Sequence, residues 1–564
     1  MNKITLFILA LAMAGFSCHL EELPEIITCA TPPVAAFSPS STSCVAPCAL
    51  SVTNNSQNAT GYKWDFGDGS TSSLANPDHT YIAVGNFVIM LVATNSEGCA
   101  DTVTQTINIS NGFPTPVSAY SADVANNEGF APCNVKFTNA SSDAASYEWD
   151  FGDGTPVSTE TNPFHTYALP DDYIVKLTAT GPGGSDVETK TVTIKAITFK
   201  KTFGTAANES GADVIQTADG GYALIGSVSD PSNGFSQVYH LQTDYKGNVS
   251  WQTTWQTISS GPAYGTGIDE APDGQHMLFG YADVDGVYLL KTLDEPSSGI
   301  LNGGGIYPGL GHASAAEMAK TTDGGYILLG STYDGTDISL SRIYLIKTNA
   351  NGNGVWSRIY GGQHRGGNSV RQTSDGGYII VGDTIHPSSL EEDFYLFKTD
   401  AAGNVLWEKT YGTSGINDYG NSVIQTIDGG YILLGSSGNL IGTPRPDMTL
   451  IKTDASGNEV WKKSFGGALT EAGIDVVQTS DGGYILLGTT DSEGAGSTDI
   501  YLIKTDNAGN QVWKKTFGGN QFDRCTSIRQ TTDGGFIMLG LTASEGAGGN
   551  DFFLIKTDKN GNVQ

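Results

Sequence analysis

Residues 479–484 read Thr-Ser-Asp-Gly-Gly-Tyr, and this short motif decides the fold because it recurs throughout the chain after residue 196. The pattern Thr-x-Asp-Gly-Gly-Tyr begins at residues 217, 321, 373, 426 and 479, and a copy with Phe536 in place of the tyrosine begins at 531. A degenerate copy, Asp273-Gly274-Gln275-His276, lies between the first two. The seven aspartates are 50 to 54 residues apart, a period that is typical of solenoids and propellers.

Each repeat unit contains four short stretches of strand-like sequence. In the sixth unit they are Asp475–Thr479, Tyr484–Thr489, Asp499–Thr505 and Gln511–Phe517, and tight turns rich in Gly, Asp and Asn join the first pair and the last pair. Four antiparallel strands per unit without a helical period favour a propeller blade over a helical solenoid. The sequence therefore predicts a seven-bladed β-propeller over residues 197–564.

The two ends of the repeat region complement each other. The sequence stops at Gly561-Asn562-Val563-Gln564, where the other units continue into a fourth strand, and the missing strand sequence occurs at the start of the region as Thr198–Gly204. An N-terminal strand that completes the last blade closes the ring and removes two exposed sheet edges. We therefore expect Thr198–Phe203 to be the outer strand of the seventh blade.

The units resemble the glycine-rich, propeller-like repeats of secreted Bacteroidetes and archaeal proteins, and this resemblance covers all seven units but implies no single function. One tryptophan recurs at the same blade position, although the second unit has Gly303 there. Because a residue that a repeat demands usually serves packing, we predict that this tryptophan packs between blades. Its copies are Trp251, Trp356, Trp407, Trp461 and Trp513.

A second duplication precedes the repeats. Residues 62–69 read Tyr-Lys-Trp-Asp-Phe-Gly-Asp-Gly and residues 147–154 read Tyr-Glu-Trp-Asp-Phe-Gly-Asp-Gly, and each copy continues to Asn-Pro-x-His-Thr-Tyr and an alternating apolar strand. The paired motifs resemble the polycystic kidney disease (PKD) domain, an immunoglobulin-like β-sandwich, over residues 32–111 and 112–196. The resemblance implies spacer or adhesive modules. The expected fold is therefore all-β, with two PKD-like sandwiches followed by the seven-bladed propeller.

The polar residues of the duplicated motif have structural explanations. Four aspartates fit turns that their side chains close on the backbone, with calcium binding as the less favoured alternative; they are Asp65, Asp68, Asp150 and Asp153. We interpret His79 and His165 as structural because no second nearby ligand recurs in both copies.

The cysteines suggest one structural bridge. In the first copy Cys44 precedes the opening strand and Cys99 precedes the closing one, and the PKD resemblance implies a disulfide between these two positions. Cys48 and Cys133 share a Pro-Cys context, so we interpret them as equivalent positions of the two copies and not as partners.

The composition excludes whole classes of protein. The 564 residues include 29 Lys and Arg against 59 Asp and Glu, which gives a net charge of −30, yet only 16% of residues are charged and 10% are aromatic. A disordered acidic chain would be richer in charge and poorer in aromatic residues. The excess of acidic residues also leaves no basic surface for a phosphate backbone, so we expect no nucleic-acid partner.

The N-terminal residues indicate export. Lys3 and the apolar run Ile4–Phe16 are typical of a secretory signal peptide, which we place at residues 1–17 and follow with a linker at 18–31. Residues 14–18 resemble the lipobox of bacterial lipoproteins, although Phe16 and Ser17 depart from its usual small-residue pair, and the resemblance implies that Cys18 carries a lipid. Ordinary cleavage without a lipid is the alternative.

The sequence after Cys18 bears on the final location of the protein. Glu21 and Glu22 resemble the acidic surface-export signal of Bacteroidetes lipoproteins. We therefore expect an outer-membrane lipoprotein that is tethered to the membrane by its lipid and exposed at the cell surface.

No sequence motif for catalysis is present. Gly-x-Ser-x-Gly, His-Glu-x-x-His and phosphate-loop patterns are all missing from the sequence. The Thr-x-Asp-x-Gly motif partly resembles the Asp-box turn of sialidase propellers, but those boxes are structural, and the arginines of the repeat region are scattered over the units. We therefore expect no catalytic residue, cofactor or metal site, with calcium left open.

These observations predict a non-catalytic binding or adhesion protein whose sandwiches display a propeller that binds a protein or a glycan. A polysaccharide-acting glycosidase or lyase and a structural subunit of an outer-membrane complex are the alternatives; arginines and acids that converge at one mouth of the channel would favour the enzyme. We expect binding where the loops differ between blades, as Asp383–Glu392 differs from Ser436–Pro446, although neutral drift also explains such differences.

Overall fold

The computed structural model describes residues 29–124, 129–255, 261–282, 286–292, 304–309, 312–333, 341–361, 365–385, 391–439 and 445–563. The regular structure in these ranges is β-strand, and no helix in them is long and apolar enough to cross a membrane. The expected signal peptide and Cys18 lie outside the described residues.

The chain divides into two compact units. The first comprises the described residues up to Asp123 with Lys136–His165 and Ile174–Val192, and the second comprises Val124–Val135, Thr166–Tyr173 and Thr193–Gln564.

The first β-sandwich packs a three-stranded sheet against a five-stranded sheet. Alternate residues of its long strands are buried, and Trp64 lies fully buried in the core. The strands are β1 (Phe37–Pro39), β2 (Ser43–Val45), β3 (Cys48–Asn54), β4 (Gly61–Asp65), β5 (Thr71–Ser72), β6 (Asp78–Tyr81), β7 (Gly85–Thr94) and β8 (Ala100–Ser110). Their orders in the sheets are β1-β3-β6 and β2-β8-β7-β4-β5.

The second sandwich repeats this plan with two three-stranded sheets and Trp149 fully buried. Its strands are β9 (Tyr120–Asp123), β10 (Cys133–Asn139), β11 (Ser146–Asp150), β12 (Phe164–Tyr167), β13 (Asp171–Gly181) and β14 (Gly184–Ile194), in the orders β12-β10-β9 and β11-β13-β14. Cys48 and Cys133 begin β3 and β10, which share one burial pattern, so their predicted equivalence is confirmed.

The predicted disulfide between Cys44 and Cys99 is wrong. Cys99 is bonded to Cys29, and Cys44 is bonded to Cys48. Cys44 lies opposite Ile109, near the end of β8, whereas Cys99 directly precedes the first residue of that strand. At about 3.3 Å per residue the two cysteines are separated by roughly 30 Å along the strand, far beyond the span of a disulfide. Cys133 and Cys525 are buried free thiols.

Within the described residues, seven four-stranded antiparallel sheets form the propeller, as predicted. The first three blades are β16 (Glu209–Gln216), β17 (Tyr222–Ser229), β18 (Ser236–Thr243) and β19 (Val249–Trp255); β20 (Ala263–Glu270), β21 (His276–Ala282), β22 (Gly286–Lys291) and β23 (Gly304–Tyr307); and β24 (His312–Lys320), β25 (Tyr326–Tyr333), β26 (Arg342–Thr348) and β27 (Gly354–Tyr360).

The next three blades follow the same order. They are β28 (Arg365–Gln372), β29 (Tyr378–Ile385), β30 (Glu392–Thr399) and β31 (Val405–Tyr411); β32 (Asp418–Gln425), β33 (Tyr431–Ser437), β34 (Asp447–Thr453) and β35 (Glu459–Phe465); and β36 (Glu471–Gln478), β37 (Tyr484–Thr490), β38 (Asp499–Thr505) and β39 (Gln511–Phe517).

The seventh blade is built from both ends of the repeat region. It contains β40 (Asp523–Gln530), β41 (Phe536–Thr542) and β42 (Asp551–Thr557), and its fourth strand is β15 (Phe199–Phe203). β15 pairs antiparallel with β42, so Phe199 lies opposite Lys556 and Phe203 opposite Phe552. The expected completion of the last blade by the N-terminal strand is confirmed.

The core of the propeller lies between blades. The first strands of neighbouring blades contact one another around the axis, and the second and third strands carry almost fully buried apolar runs. Each half-buried tryptophan of the fourth strands packs on the next blade. A Cβ on Gly457, which has φ of +75°, would lie 2.7 Å from the Trp407 ring, so this turn requires glycine. The predicted packing role of the tryptophan is confirmed at this interface.

Replacing Phe203 in the closing strand tests the contribution of β15. Phe203 is buried in an apolar cluster with Phe552 of β42, so Phe203→Ala should lower the free energy of unfolding of the propeller by about 3–5 kcal/mol. Urea unfolding of the full chain measures it, with the exposed Lys200→Ala as the control expected to stay within about 0.5 kcal/mol. Equal losses in the two variants would refute the closing role.

Candidate functional site

The propeller has two ends of different character. We call the end that carries the turns between first and second strands and between third and fourth strands the turn face, and the opposite end the loop face. In six of the first turns the threonine hydroxyl donates to the aspartate two residues later. The pairs are Thr217–Asp219, Thr321–Asp323, Thr373–Asp375, Thr426–Asp428, Thr479–Asp481 and Thr531–Asp533.

A buried lysine of the third strand reaches the same carboxylate in five blades. In the fifth blade, Lys452 Nζ lies 2.9 Å from Asp428 Oδ1 and also donates to the Thr426 hydroxyl. The lysines are Lys347, Lys398, Lys452, Lys504 and Lys556. This role was not predicted from the sequence, although the recurrence of Lys-Thr at the end of the third strand was a signal for it.

In several blades, a glutamine at the end of the first strand binds the Thr-x-Asp turn of the preceding blade. Gln425 Oε1 accepts the backbone N–H of Ser374 in the preceding blade, and Gln478 Oε1 accepts that of Ile427. Gln216 of the first blade accepts the N–H of Thr532 in the seventh, which continues the series across the ring closure. The polar groups that recur on the turn face therefore form hydrogen bonds within and between the blades.

Two arginines converge on the axis near the turn-face end of the first strands. Arg529 lies 2.9 Å from Asp213 and 3.1 Å from Asp475, and Arg371 pairs with Glu317. Burial by itself lowers the pKa of Arg529, but the two adjacent aspartates raise it above its ordinary value. These arginines lie far apart in the sequence, but both occupy the next-to-last position of the first strand of a blade.

The carboxylates at the axis also serve the scaffold. Asp213 Oδ2 accepts the N–H of Ile268 in the next blade, and Asp475 Oδ2 accepts that of Ile528. Glu317 Oε2 accepts the N–H of Val370 in the same way. Acids and arginines do converge here, but each of these groups is already bound to a partner within the ring.

The loop face has an open depression of about 340 Å³ between the first and second blades. The rings of Tyr264 and Tyr281 stack there with centroids 4.8 Å apart, and both are half-buried. Hydroxyl and amide groups of Ser210, Ser229 and Asn208 complete the lining. A neighbouring depression of about 510 Å³ shares Asn208 and contains the glycine-rich loop 544–550.

Binding at the loop face was predicted from the sequence, but these residues were not. Tyr281 stands where the other blades have smaller or aliphatic residues, such as Ser227, Ser436 and Leu541, and this departure was the available signal. The loops singled out in the sequence are covered only in part, because residues 386–390 and 440–444 lie outside the described ranges.

The motif residues of the sandwiches form turns. Asp65 and Asp150 accept the N–H two residues later, as do Asp68 and Asp153. His79 Nε2 lies 2.8 Å from Asp68, and its ring stacks on Phe66.

The second sandwich repeats this contact. His165 Nε2 lies 2.7 Å from Asp153 and its ring stacks on Phe151. The histidines are structural as predicted, but the reason given was wrong, since an aspartate partner recurs in both copies. A further group of Cys29, Cys99 and Glu97 has the spacing of metal ligands, but its sulfurs are bonded to each other.

The folds and this geometry define an all-β protein with immunoglobulin-like sandwiches and a propeller. The PKD domain family model matches residues 30–110 and 113–196, so these two stretches belong to the PKD family. The crystallised PKD1 domain of the Vibrio cholerae metalloprotease PrtV is 34% identical, with a TM-score of 0.13 over 14% of this chain and 98% of that chain.

Two further similarities are limited, the first in the length that it covers and the second in sequence identity. A microbial collagenase of Vibrio alginolyticus is 42% identical over 67 residues, which are 11% of this chain and 8% of the collagenase. The β-propeller domain of the Trilobed protease from Pyrococcus furiosus is 10% identical, with a TM-score of 0.38 over 64% of this chain and 97% of that domain.

The turn aspartates should make the propeller sensitive to acid. Burial raises the pKa of Asp428, but hydrogen bonds from Thr426 and Lys452 outweigh this effect and lower it to about 2; Asp375 and Asp481 behave alike. A lowered pKa means that the stabilisation is complete above about pH 4 and is lost as the pH falls toward 2. Unfolding midpoints in urea between pH 7 and pH 2.5 should show this loss.

A triple variant identifies the source of that loss. Asp375→Asn, Asp428→Asn and Asp481→Asn together should be less stable at pH 7 and should change less with pH below 4. Ile427→Ala, an exposed change in one of the same turns, is the control. An unaltered pH slope in the triple variant would contradict the assignment.

Proposed function

We propose that this protein is an exported binding protein whose propeller recognises a glycan on the loop face, while the PKD sandwiches act as spacers. The observation that carries the proposal is the contrast between the two faces. The turn face uses its repeated Thr, Asp, Lys and Gln side chains for bonds within and between blades. The loop face has an open depression whose side chains differ from blade to blade.

The chemistry of the depression favours a sugar. Stacked rings such as Tyr264 and Tyr281 offer flat apolar surface, and the surrounding hydroxyl and amide groups pair with sugar hydroxyls. Its volume of about 340 Å³ lies within the range of small-ligand sites. Because the chain carries a net charge of −30, a neutral glycan fits better than an anionic polysaccharide.

Export is supported by the cysteines and by the relatives. Disulfides such as Cys29–Cys99 persist in oxidising compartments. The relatives of the PKD stretches include a microbial collagenase and the metalloprotease PrtV. We extend this proposal to a lipid anchor on Cys18 and a cell-surface location, which rest on the lipobox-like sequence.

A polysaccharide-acting enzyme is the second candidate, and the converging Arg371 and Arg529 favour it. Binding of a substrate carboxylate at these arginines would require them to release Glu317, Asp213 and Asp475, which also hold neighbouring blades together. A structural subunit has less support, because the exposed apolar residues of the fourth strands are distributed over different blades, as Val355 and Val512 are, and only β31 among the described fourth strands has two in succession. Non-catalytic binding is therefore the proposal.

Removing the tyrosine rings tests the loop face. A glycan array with the wild-type protein should identify a neutral ligand, and Tyr281→Ala should raise its Kd at least tenfold, because a stacked ring contributes about 0.5–1.5 kcal/mol beyond its buried area. Titration calorimetry measures the affinity. The matched control is Tyr245→Ala, an exposed tyrosine in a turn-face hairpin, which should leave Kd unchanged. Loss of binding in the Tyr245→Ala control alone would place the site on the turn face and refute the proposal.

The lipid anchor has a separate test. Cys18→Ser removes the thiol that the lipid would occupy, so it should release the protein from membranes or leave the signal peptide uncleaved. Metabolic labelling with a radioactive fatty acid measures the modification, and Cys29→Ser serves as the cysteine control. Equal incorporation of the label in the Cys18 variant and the wild type would refute a lipid anchor on Cys18.

A further inference from the structure

Two buried carboxylates face each other across the junction between the seventh and the first blade. Glu209 is the first residue of β16 in the first blade, and Asp551 is the first residue of β42 in the seventh. Each residue is only 1% exposed. Burying two carboxylates together is costly unless something of positive charge compensates them.

One oxygen of each carboxylate is satisfied and the other is not. Glu209 Oε1 accepts hydrogen bonds from the backbone N–H and the hydroxyl of Thr205, and Asp551 Oδ2 accepts the N–H of Ala547. Glu209 Oε2 and Asp551 Oδ1 are buried without a hydrogen-bond partner. No lysine, arginine or histidine of the described residues lies within ion-pair distance of either carboxylate.

The two unsatisfied oxygens point to one place. A Cβ built on Gly204 would lie 1.8 Å from Asp551 Oδ1 and 2.8 Å from Glu209 Oε2. Both oxygens therefore lie against Gly204, and a side chain at this position would collide with them. Glu209 also borders the depression on the loop face, so the pair lies next to a surface that solvent reaches.

The equivalent carboxylates at other blade junctions are compensated. In the sixth blade, Glu471 Oε1 accepts the hydroxyl of Thr490, and in the seventh Asp523 accepts the hydroxyls of Thr542 and Ser544. In the fifth, Asp418 Oδ1 is also buried without a hydrogen-bond partner, but Lys462 Nζ lies 3.6 Å away and compensates its charge.

The first blade has Thr205 as a donor to Glu209 Oε1, but it has neither the threonine nor the lysine that the other blades use. Val228 lies opposite Glu209 at the position where Thr490 lies opposite Glu471. Gln252, which follows Trp251, stands where Lys462 follows Trp461, and its Oε1 accepts the hydroxyl of Tyr239. Among these four blades, within the described residues, the first is therefore the one that lacks both the donor and the cation at these positions.

We propose that Glu209 and Asp551 bind a calcium ion at the junction between the first and the last blade. Calcium takes six to eight oxygen ligands in flexible geometry, and carboxylates with water molecules from the adjoining depression meet that need. The ion is bound by Glu209 Oε2 and Asp551 Oδ1, neutralises both carboxylates and connects β42 to β16. Calcium at this position would stabilise the junction between the first and last blades, as the pairing of β15 with β42 also does.

A proton is the competing occupant of this pair. Burial is the main cause that raises the pKa of Glu209, and the charge of Asp551 adds to it, while hydrogen bonds from Thr205 lower it in part. A shared proton would satisfy the two oxygens without any metal, so the experiment must distinguish these occupants.

The test is calorimetric titration of CaCl₂ into the full chain after removal of metals with a chelator, together with the melting temperature with and without calcium. The wild type should bind calcium and melt at a higher temperature in its presence. Asp551→Asn and Glu209→Gln should each lower the affinity at least tenfold. Absence of calcium binding by the wild type would overturn the proposal in favour of the proton.

Two further variants protect the test against simple misfolding. Gln252→Lys places an ammonium group where the fifth blade has Lys462. Val228→Thr supplies the hydroxyl that the sixth blade has. Each variant should weaken calcium binding and leave the propeller folded. Asp418→Asn removes the equivalent carboxylate of the fifth blade and should leave the affinity unchanged. If Glu209→Gln binds calcium as the wild type does, the ion lies elsewhere and the proposal fails.

Discussion

The propeller depends on joining its first and last blades. Each blade buries its two faces against neighbours, so a ring that stays open exposes two apolar sheets and two strand edges. Contacts across the closure join residues that are far apart in sequence, such as Ser527 with Asp213 at 314 positions and Thr532 with Gln216 at 316 positions. The ordering of so long a loop costs conformational entropy. The pairing of β15 with β42 offsets that cost by burying Phe199 and Phe203 in the last interface.

The parts of the fold that follow from repetition could be predicted from the sequence. The Thr-x-Asp-Gly-Gly turn, the four strands of a blade and the tryptophan on its fourth strand occur often enough for their spacing to give the blade count. The lysine and glutamine contacts of the turn face could not be predicted in the same way, because a recurring polar residue in a strand fits an exposed edge equally well. The ring brings Gln216 to Thr532, and the pairing of the second and third strands of the fifth blade brings Lys452 to Asp428.

The disulfides show a different limit. The expected bridge between Cys44 and Cys99 was carried over from other PKD domains, and the second copy of the motif has no cysteines at those positions to test it. The parallel pairing of β2 with β8 places Cys44 at the far end of the strand that Cys99 precedes. Sequence order alone does not contain that register, so the actual partners, Cys29 and Cys48, could not be chosen without the structure.

The candidate sites lie where the repeat is broken, and this has a physical reason. A residue that every blade needs for its turn, its core or its contact with the next blade is fixed by the scaffold and cannot be adapted to a ligand. Tyr281 belongs to the second blade, which has also lost the Thr-x-Asp motif and the tryptophan, and Val228 and Gln252 belong to the first. Their departures leave the packing of the ring intact while they alter the loop face, so the first two blades are free to be shaped for binding in a way that the regular blades are not.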